Sequence, residues 1–372
     1  MYVAAKGGAK AISEAEKLLE YYRCNGESIP IEVKQIMDQM RLAVDKVMGE
    51  GSLYAPDLAA LAIKQAEGDT IEAAFLLRAF RSTLPRLNYS IPADSGQMRI
   101  LRRISAAFKD IPGGQFLGPT RDYTKRLLNF KLIEETDQHV RDFVAEYELM
   151  DLQQVLGTPL LFPKVADLLR DEGLIESVKM NNKKDTSSIQ QNIDDITRQA
   201  LRFPASRAMR MQSLARGETG SMMALAYSSM RGYGNVHPCI GELRVGYVEL
   251  VIPHPLMAAE YITVGEILLT EVEIIARIKD ENKNSRAKFA LGYGICFGQN
   301  EIKAIAMATL DRAMTAVDPG APAEDEEFVL YHIDGVEASG FTAHWKLPHY
   351  VDFQADLNRV RSINERRSGK NE

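Results

Sequence analysis

The sequence predicts an α+β fold, a helical N-terminal region followed by a mixed α/β C-terminal region with an antiparallel-leaning sheet. Two observations carry this. Apolar residues recur at helical spacing through most of the first 150 residues, whereas β-branched and aromatic runs at 244–252, 261–278 and 288–297 come later. Nor do strands and helices alternate in the βαβ order of a doubly wound sheet. On this reading the chain divides into a helical domain at 1–150, a variable connecting segment at 151–203 and an α+β domain at 204–372.

Each element has a local reason. Ser13 and Glu16 form an S-x-x-E capping box ahead of Leu18, Leu19 and Tyr22, so a helix should start near Ser13 and stop at Gly26. Ile36, Met40 and Val44, with Val47 or Met48, line one face of a helix over 31–48 that Gly49 and Gly51 should end. Helices over 56–66 and 70–84 follow, the second capped by Asp69 and closed by Pro85. More helices are expected at 98–108, 120–130 and 139–149. The polar tract 180–191 reads as a surface loop, and helical spacing returns at 302–316 and 351–366.

Composition narrows the function. With 45% hydrophobic and 26% charged residues the chain is an ordinary soluble globular protein, and 372 residues allow two or three domains. A net charge of −6 provides no global basic field for nucleic acid or an anionic membrane, so any anion site must be local. Cys24, Cys239 and Cys296 are odd in number and lack a CxxC pair, which argues against a disulfide framework and a thiolate zinc knuckle. Residues 1–17 lack an apolar signal core and no stretch approaches the roughly 18 apolar residues of a membrane span, so a cytoplasmic location is expected.

Two constellations bear chemistry. His344-Trp345-Lys346-Leu347-Pro348-His349 places two imidazoles within the spacing range of zinc sites. A regular helix or strand would point them apart, but Pro348 interrupts both and can turn the rings toward one ion. Two unrelated histidines flanking a turn remain the alternative. The second constellation is 99–126, which holds Arg99, Arg102, Arg103, Lys109, Arg121, Lys125 and Arg126 against only Asp110 and Asp122. Inside it Pro112-Gly113-Gly114-Gln115-Phe116-Leu117-Gly118-Pro119-Thr120 offers free backbone N–H groups that suit a phosphate. Pro119 stands where a P-loop needs its lysine and no strand is expected before the loop, so a Walker A site is rejected. A solvated basic face with an ordinary turn is the competing reading. The segments Arg231-Gly232-Tyr233-Gly234 and Gly292-Tyr293-Gly294 suit either close approach to a ligand or tight turns. Acid candidates are Glu242, Glu271 and the cluster Asp325, Glu326 and Glu327, the last also reading as a helix N-terminus.

Taken together, several stretches resemble one family. They are Lys6-Gly7-Gly8, Leu76-Leu77-Arg78-Ala79, Arg102-Arg103-Ile104-Ser105-Ala106, Lys109-Asp110-Ile111-Pro112-Gly113-Gly114-Gln115, Leu225-Ala226-Tyr227-Ser228, His237-Pro238 and the block from Val336 through His344 and His349 to Gln354. The chain resembles subunit I of the bacterial carbon–phosphorus lyase system, a component of alpha-D-ribose 1-methylphosphonate 5-triphosphate synthase, and only about 160–203 carries no match. The resemblance implies replacement of the adenine of ATP by methylphosphonate together with subunits G, H and L. It implies a core complex with two copies each of G, H and J, and nucleosidase action on ATP or GTP when the chain is alone. It also implies that His344 and His349 bind zinc near subunit J. Breaking an N-glycosidic bond builds positive charge on the ribose, so a carboxylate and an acid for the purine are needed, with Asp110, Glu242 and Glu327 as candidates. Two anionic reactants also need fixed cations, and Arg102, Arg103, Lys109 and Arg121 beside Gly113 and Gly114 are the expected clamp. The rival reading is a scaffold that organises partners and lends two histidines to their site.

Overall fold

The computed structural model describes residues 8–154, 162–175, 194–233, 238–257, 259–278, 288–316 and 319–368, and the tract 180–191, Gly234 and His237 lie outside them. The helical first region is there. Helix α1 (Gly8–Cys24) begins before Ser13 and buries none of its residues. The expected 31–48 helix is two, α2 (Val33–Gln39) and α3 (Arg41–Gly51), because Met40 leaves helical geometry at φ −107° and ψ 38°. Helix α3 runs through Gly49 and ends at Gly51, as expected, with Ser52 as its left-handed C-cap. A Cβ at Gly51 would lie 2.9 Å from Leu77 Cδ2, so this glycine lets α3 approach its neighbour closely. Helices α4 (Pro56–Gln65) and α5 (Thr70–Ser82) fall as expected, with the Asp69 carboxylate accepting from Ile71 N and Glu72 N. The four helices α2 to α5 share a core of Ile36, Val44, Val47, Met48, Ile63 and Leu77.

Two expectations fail in the next stretch. The segment 98–108 is strand β1 (Arg99–Ile104), and 120–130 holds turns before the short 3-10 helix Phe130–Glu134. Then come α6 (Asp137–Gln154), α7 (Val165–Asp171), α8 (Arg207–Arg216) and α9 (Thr219–Ser228), the last extended by a π turn at Ser229–Tyr233. Strands β2 (Cys239–Pro253), β3 (Tyr261–Arg277) and β4 (Phe289–Phe297) match the predicted runs closely. The sheet runs β1-β2-β3-β4, antiparallel throughout, so a strand from the first 150 residues completes the C-terminal sheet.

Alternation along the strands gives the sheet two unlike faces. On one, Leu243, Val245, Val272 and Ile274 pack under Ala304 and Ala308 of α10 (Glu301–Ala313). Added Cβ atoms at Gly292 and Gly294 would lie 2.1 Å from the carbonyls of Ala308 and Ala304, so what approaches those glycines is a helix. The other face carries Arg103, Glu242, Arg244, Glu271, Glu273 and Tyr293, brought level by the pairings Arg103↔Arg244↔Glu271 and Glu242↔Glu273↔Tyr293. Helices α11 (Glu326–His332), α12 (Gly335–His344) and α13 (Tyr350–Ser368) close the chain. A separate core of Leu214, Met222, Met307, Leu310, Leu330 and Ile333 joins α8 to α11.

Candidate functional site

The glycine-rich loop sits directly on β1, and the two arginines of that strand build it. Arg103 has no exposed surface; its Nε donates to Glu242 Oε1, and its terminal nitrogens donate to the carbonyls of Pro112 and, at 3.0 Å, Pro163. Arg102, equally buried, donates to Leu117 O and to Asp122, with its Nε 2.9 Å from Glu301 Oε1. Both ends of the loop are therefore tied to the strand beneath, and mutual backbone bonds between Arg103 and Phe116 add a third attachment. Three glycines make the tight course possible. Gly113, Gly114 and Gly118 have φ of 81°, 78° and 59°, where an L side chain is strained. Gly113 faces the Phe162 ring, 2.3 Å from where a Cβ would stand, while nothing lies within 4 Å of one at Gly114.

The expected clamp thus separates into two layers. The guanidinium groups of Arg102 and Arg103 are committed to protein partners under the loop. Lys109 and Arg121 are exposed at its two sides, with no side-chain bond or ion pair among the described residues. Asp110 is exposed next to Lys109. Glu242, 2% exposed, is fully engaged: Oε1 takes Arg103, and Oε2 accepts at 3.0 Å from Val165 N in the first turn of α7. Glu327 stands elsewhere, exposed in the first turn of α11, which Asp325 caps by accepting from Phe328 N. The structure joins Arg103, Glu242, Gly113 and Gly114 into one unit and leaves Glu327 apart.

The polar sheet face beside this unit holds a dense ion cluster. Glu271 Oε1 accepts from Lys164 Nζ (2.7 Å), Ser95 Oγ (2.6 Å) and Tyr293 OH (2.7 Å), and Oε2 pairs with Arg244. Burial would raise this carboxyl, but Arg244 and Lys164 outweigh it and hold it at about 2. Glu273, two residues on, has Arg170 at 3.9 Å and a buried Oε2 without a partner among the described residues. Burial first, then the Glu271 charge, push it up to about 6 against the pull of Lys164. Burial also raises Tyr293, and the adjacent Glu271 charge adds to it. Sequence reasoning picked out Glu271, and Tyr293 only as the centre of a glycine segment, but missed Lys164, Ser95 and Glu273. The available signal was charge at alternate positions of strands that otherwise read as core, Glu242 and Arg244 in one and Glu271 and Glu273 in the next.

The two histidines do come together. His344 ends α12 and His349 precedes α13, with ring centroids 5.1 Å apart. His344 Nδ1 meets Phe341 O at 2.7 Å and His349 Nδ1 meets Leu347 O at 2.6 Å. A carbonyl only accepts, so each Nδ1 donates, and in the neutral ring Nε2 is then left with the lone pair that a metal needs. Two imidazoles on one tetrahedral zinc at about 2.0 Å would have centroids about 5 Å apart, a separation this pair matches. Among the described residues no group of three or more His, Cys, Asp or Glu gathers in metal-binding geometry. No described helix is long and apolar enough to cross a membrane.

Comparison with known proteins follows the same stretches. A family model described as bacterial phosphonate metabolism protein (PhnI) matches residues 1–367. The putative C-P lyase subunit protein HtxH of Stutzerimonas stutzeri is 48% identical over 370 residues, covering 98% of this chain and 96% of its own. The alpha-D-ribose 1-methylphosphonate 5-triphosphate synthase subunit PhnI of Escherichia coli is 47% identical over 371 residues, covering 98% and 99%. Its namesake from Rhizobium meliloti is 45% identical over 370 residues, covering 98% and 95%. With the family model spanning nearly the whole chain and the relatives matching end to end, this chain belongs to the bacterial phosphonate metabolism protein (PhnI) family.

Proposed function

We propose that this chain is the subunit of a carbon–phosphorus lyase system in which methylphosphonate displaces adenine from ATP, giving alpha-D-ribose 1-methylphosphonate 5-triphosphate. On this reading it is a pentosyltransferase subunit that assembles with subunits G, H and J, two copies of each, and works with L. Alone it acts as a nucleosidase on ATP or GTP, with water in place of the phosphonate. The names of the relatives, synthase subunits for that product, support the reading. The observation that carries the site is the braced loop, in which Gly113 and Gly114 are held at positive φ beside two buried arginines while the exposed Lys109 and Arg121 flank it in sequence without a side-chain partner among the described residues.

The residues divide the work accordingly. Lys109 and Arg121, with the loop N–H groups, grip the triphosphate. Arg102, Arg103 and Glu242 act as positioning residues that fix the loop's shape. As the C1–N bond breaks, charge grows on the ribose, and Asp110, exposed next to Lys109, is the carboxyl assigned to stabilising it or protonating the purine. Glu327 serves only if a partner or a chain movement brings α11 to the ligand. His344 and His349 supply two ligands to a zinc ion, which when bound adds a Lewis-acid centre for a phosphorus oxyanion; solvent, substrate or subunit J completes the set.

The test is Lys109→Glu with Arg121→Glu, assayed for adenine release from ATP with all partners present. Each charged hydrogen bond contributes about 1.5–3 kcal/mol, so kcat/KM should fall at least about 100-fold while the circular dichroism melt is unchanged. Unaltered kinetics would overturn the clamp. The scaffold reading draws on the exposed apolar residues of the unburied helices, Leu18, Leu19, Tyr21 and Tyr22 in α1 and Tyr350, Val351 and Phe353 in α13. Purified chain that releases no base from ATP or GTP, joined by a complex whose activity ignores the loop substitutions, would favour it.

A further inference from the structure

A second concentration of positive charge lies away from the glycine loop, where α5 meets α8 and α12. Arg78 and Arg81 stand one turn apart on α5 and reach neighbouring carbonyls at the end of α3: Arg78 donates to Glu50 O (2.8 Å) and Arg81 to Gly51 O (3.4 Å). Arg216 comes from the last turn of α8, its Nε 3.4 Å from Asp334 Oδ2 and its terminal nitrogen 3.5 Å from Ile196 O. Asp334 also takes Arg78, at 2.8 and 3.0 Å, so two arginines share one carboxylate. Arg86, exposed beyond the end of α5, joins the group by donating to Asp195 Oδ2 and Thr197 Oγ1, the residues flanking Ile196.

Among the described residues the acids bonded to these four arginines are two, Asp195 and Asp334. Glu337 is exposed at the rim, and Glu50, whose carbonyl takes Arg78, turns its Oε1 to Thr219 N and Oγ1 while its Oε2 is buried without a partner. Among the described residues Arg78 Nε is buried without a partner, and the bonded contact of the Arg81 guanidinium is one long hydrogen bond to a carbonyl. Burial first, and then the proximity of Arg78 and Arg216, hold Arg81 below the ordinary arginine range. Gathering Arg78, Arg81 and Arg216 partly out of water is unfavourable unless something compensates them, and such local conflicts mark functional sites.

We propose that Arg78, Arg81, Arg86 and Arg216 form an oxyanion site that takes a tetrahedral phosphorus group, phosphoryl or phosphonyl, in their midst. Planar guanidinium forks converging from two helices and a loop suit the oxygens of such a group, and Arg81 is its central donor. This site is independent of the reaction proposed above, since its occupancy is read by binding alone.

The test titrates the full-length chain at low salt with inorganic phosphate, methylphosphonate and tripolyphosphate, following heat and the melting temperature. Saturable binding of at least one probe is expected, weakened tenfold or more by Arg81→Met and by Arg216→Met and unchanged by Lys17→Ala on α1. Without anion, Arg81→Met should melt no lower than the parent, because it removes like-charge repulsion; with phosphate only the parent should gain stability. Equal binding of phosphate and methylphosphonate supports a site for one tetrahedral group, and binding of tripolyphosphate alone supports a polyphosphate site. Absence of saturable binding by all three, or Arg81→Met binding like the parent, overturns the proposal. An Arg81→Met chain that melts lower with and without phosphate also overturns it, since the arginine would then serve the end of α3.

Discussion

Removing Arg103 should do more than delete one ion pair. In Arg103→Ala, Glu242 loses the partner of its Oε1, the carbonyls of Pro112 and Pro163 lose their donors, and the Phe162 ring, 5.5 Å from the guanidinium carbon, loses its cover. Breaking a buried pair from one side costs about 3–5 kcal/mol, because the remaining charge stays out of water. Replacing both partners together, Arg103→Met with Glu242→Met, removes that stranded charge. The double variant should therefore be less destabilised than the two single changes summed, by about 2 kcal/mol. Urea denaturation followed by circular dichroism gives the stability, and trypsin cleavage after Lys109 and Arg121 reports on the loop. Faster cleavage in the alanine variant is expected well below its unfolding midpoint. A loss under about 1 kcal/mol, additivity across the cycle, or unchanged cleavage would refute the claim that the arginine braces the loop.

The remaining predictions concern single positions. Glu273 is raised in the folded state from 4.5 to about 6, so the fold binds its proton more tightly than the unfolded chain does; the penalty for its charge is absent below about 4.5 and fully present above about 6. Glu273→Gln should therefore raise the unfolding free energy from urea denaturation at pH 7 by about 2 kcal/mol and leave it unchanged at pH 4.5; equal shifts at both values would exclude titration of this group. Gly114→Ala should cost about 1–2 kcal/mol for positive φ alone, and Gly113→Ala clearly more because its methyl would meet Phe162; thermal melts that rank them in reverse would contradict the loop geometry. His344→Ala or His349→Ala should at least halve the zinc copurifying with the assembled complex, measured by elemental mass spectrometry, with the chain's own melt little altered; parent-level zinc in both would remove the histidines from the metal site.

What the sequence revealed was local, and what it hid was not. Helix α5 was legible because Asp69 and Pro85 bracket an apolar stripe, and β2 to β4 because β-branched residues dominate them. Strand β1 was misread since Arg99, Arg102 and Arg103 fall at helical spacing, and hydropathy assigns an arginine to the surface; only long-range partners such as Glu242 and Glu301 make its burial tolerable. Met40 divides α2 from α3 with no proline or glycine to announce it. Helices α8, α9 and α12 escaped notice for the opposite reason from α5: arginine, serine, glycine and all-round small apolar residues blur their faces. The histidine pair was readable because its spacing is short. The cluster of Arg78, Arg81, Arg86 and Arg216 was not, because its members are scattered over more than a hundred positions and meet only in the folded chain.

The cap on α7 has a consequence for the order in which the molecule assembles. Val165 N is held by Glu242 from the middle strands, and Lys164 beside it by Glu271, while Ala166 and Leu169 rest on Ile275. A seven-residue helix has little persistence by itself, so it becomes lasting only after β2 and β3 have zipped. Its amides should then exchange with solvent deuterium on the timescale of the strands beneath, and it should seal the ionic layer late, trapping those charges in their final pairings.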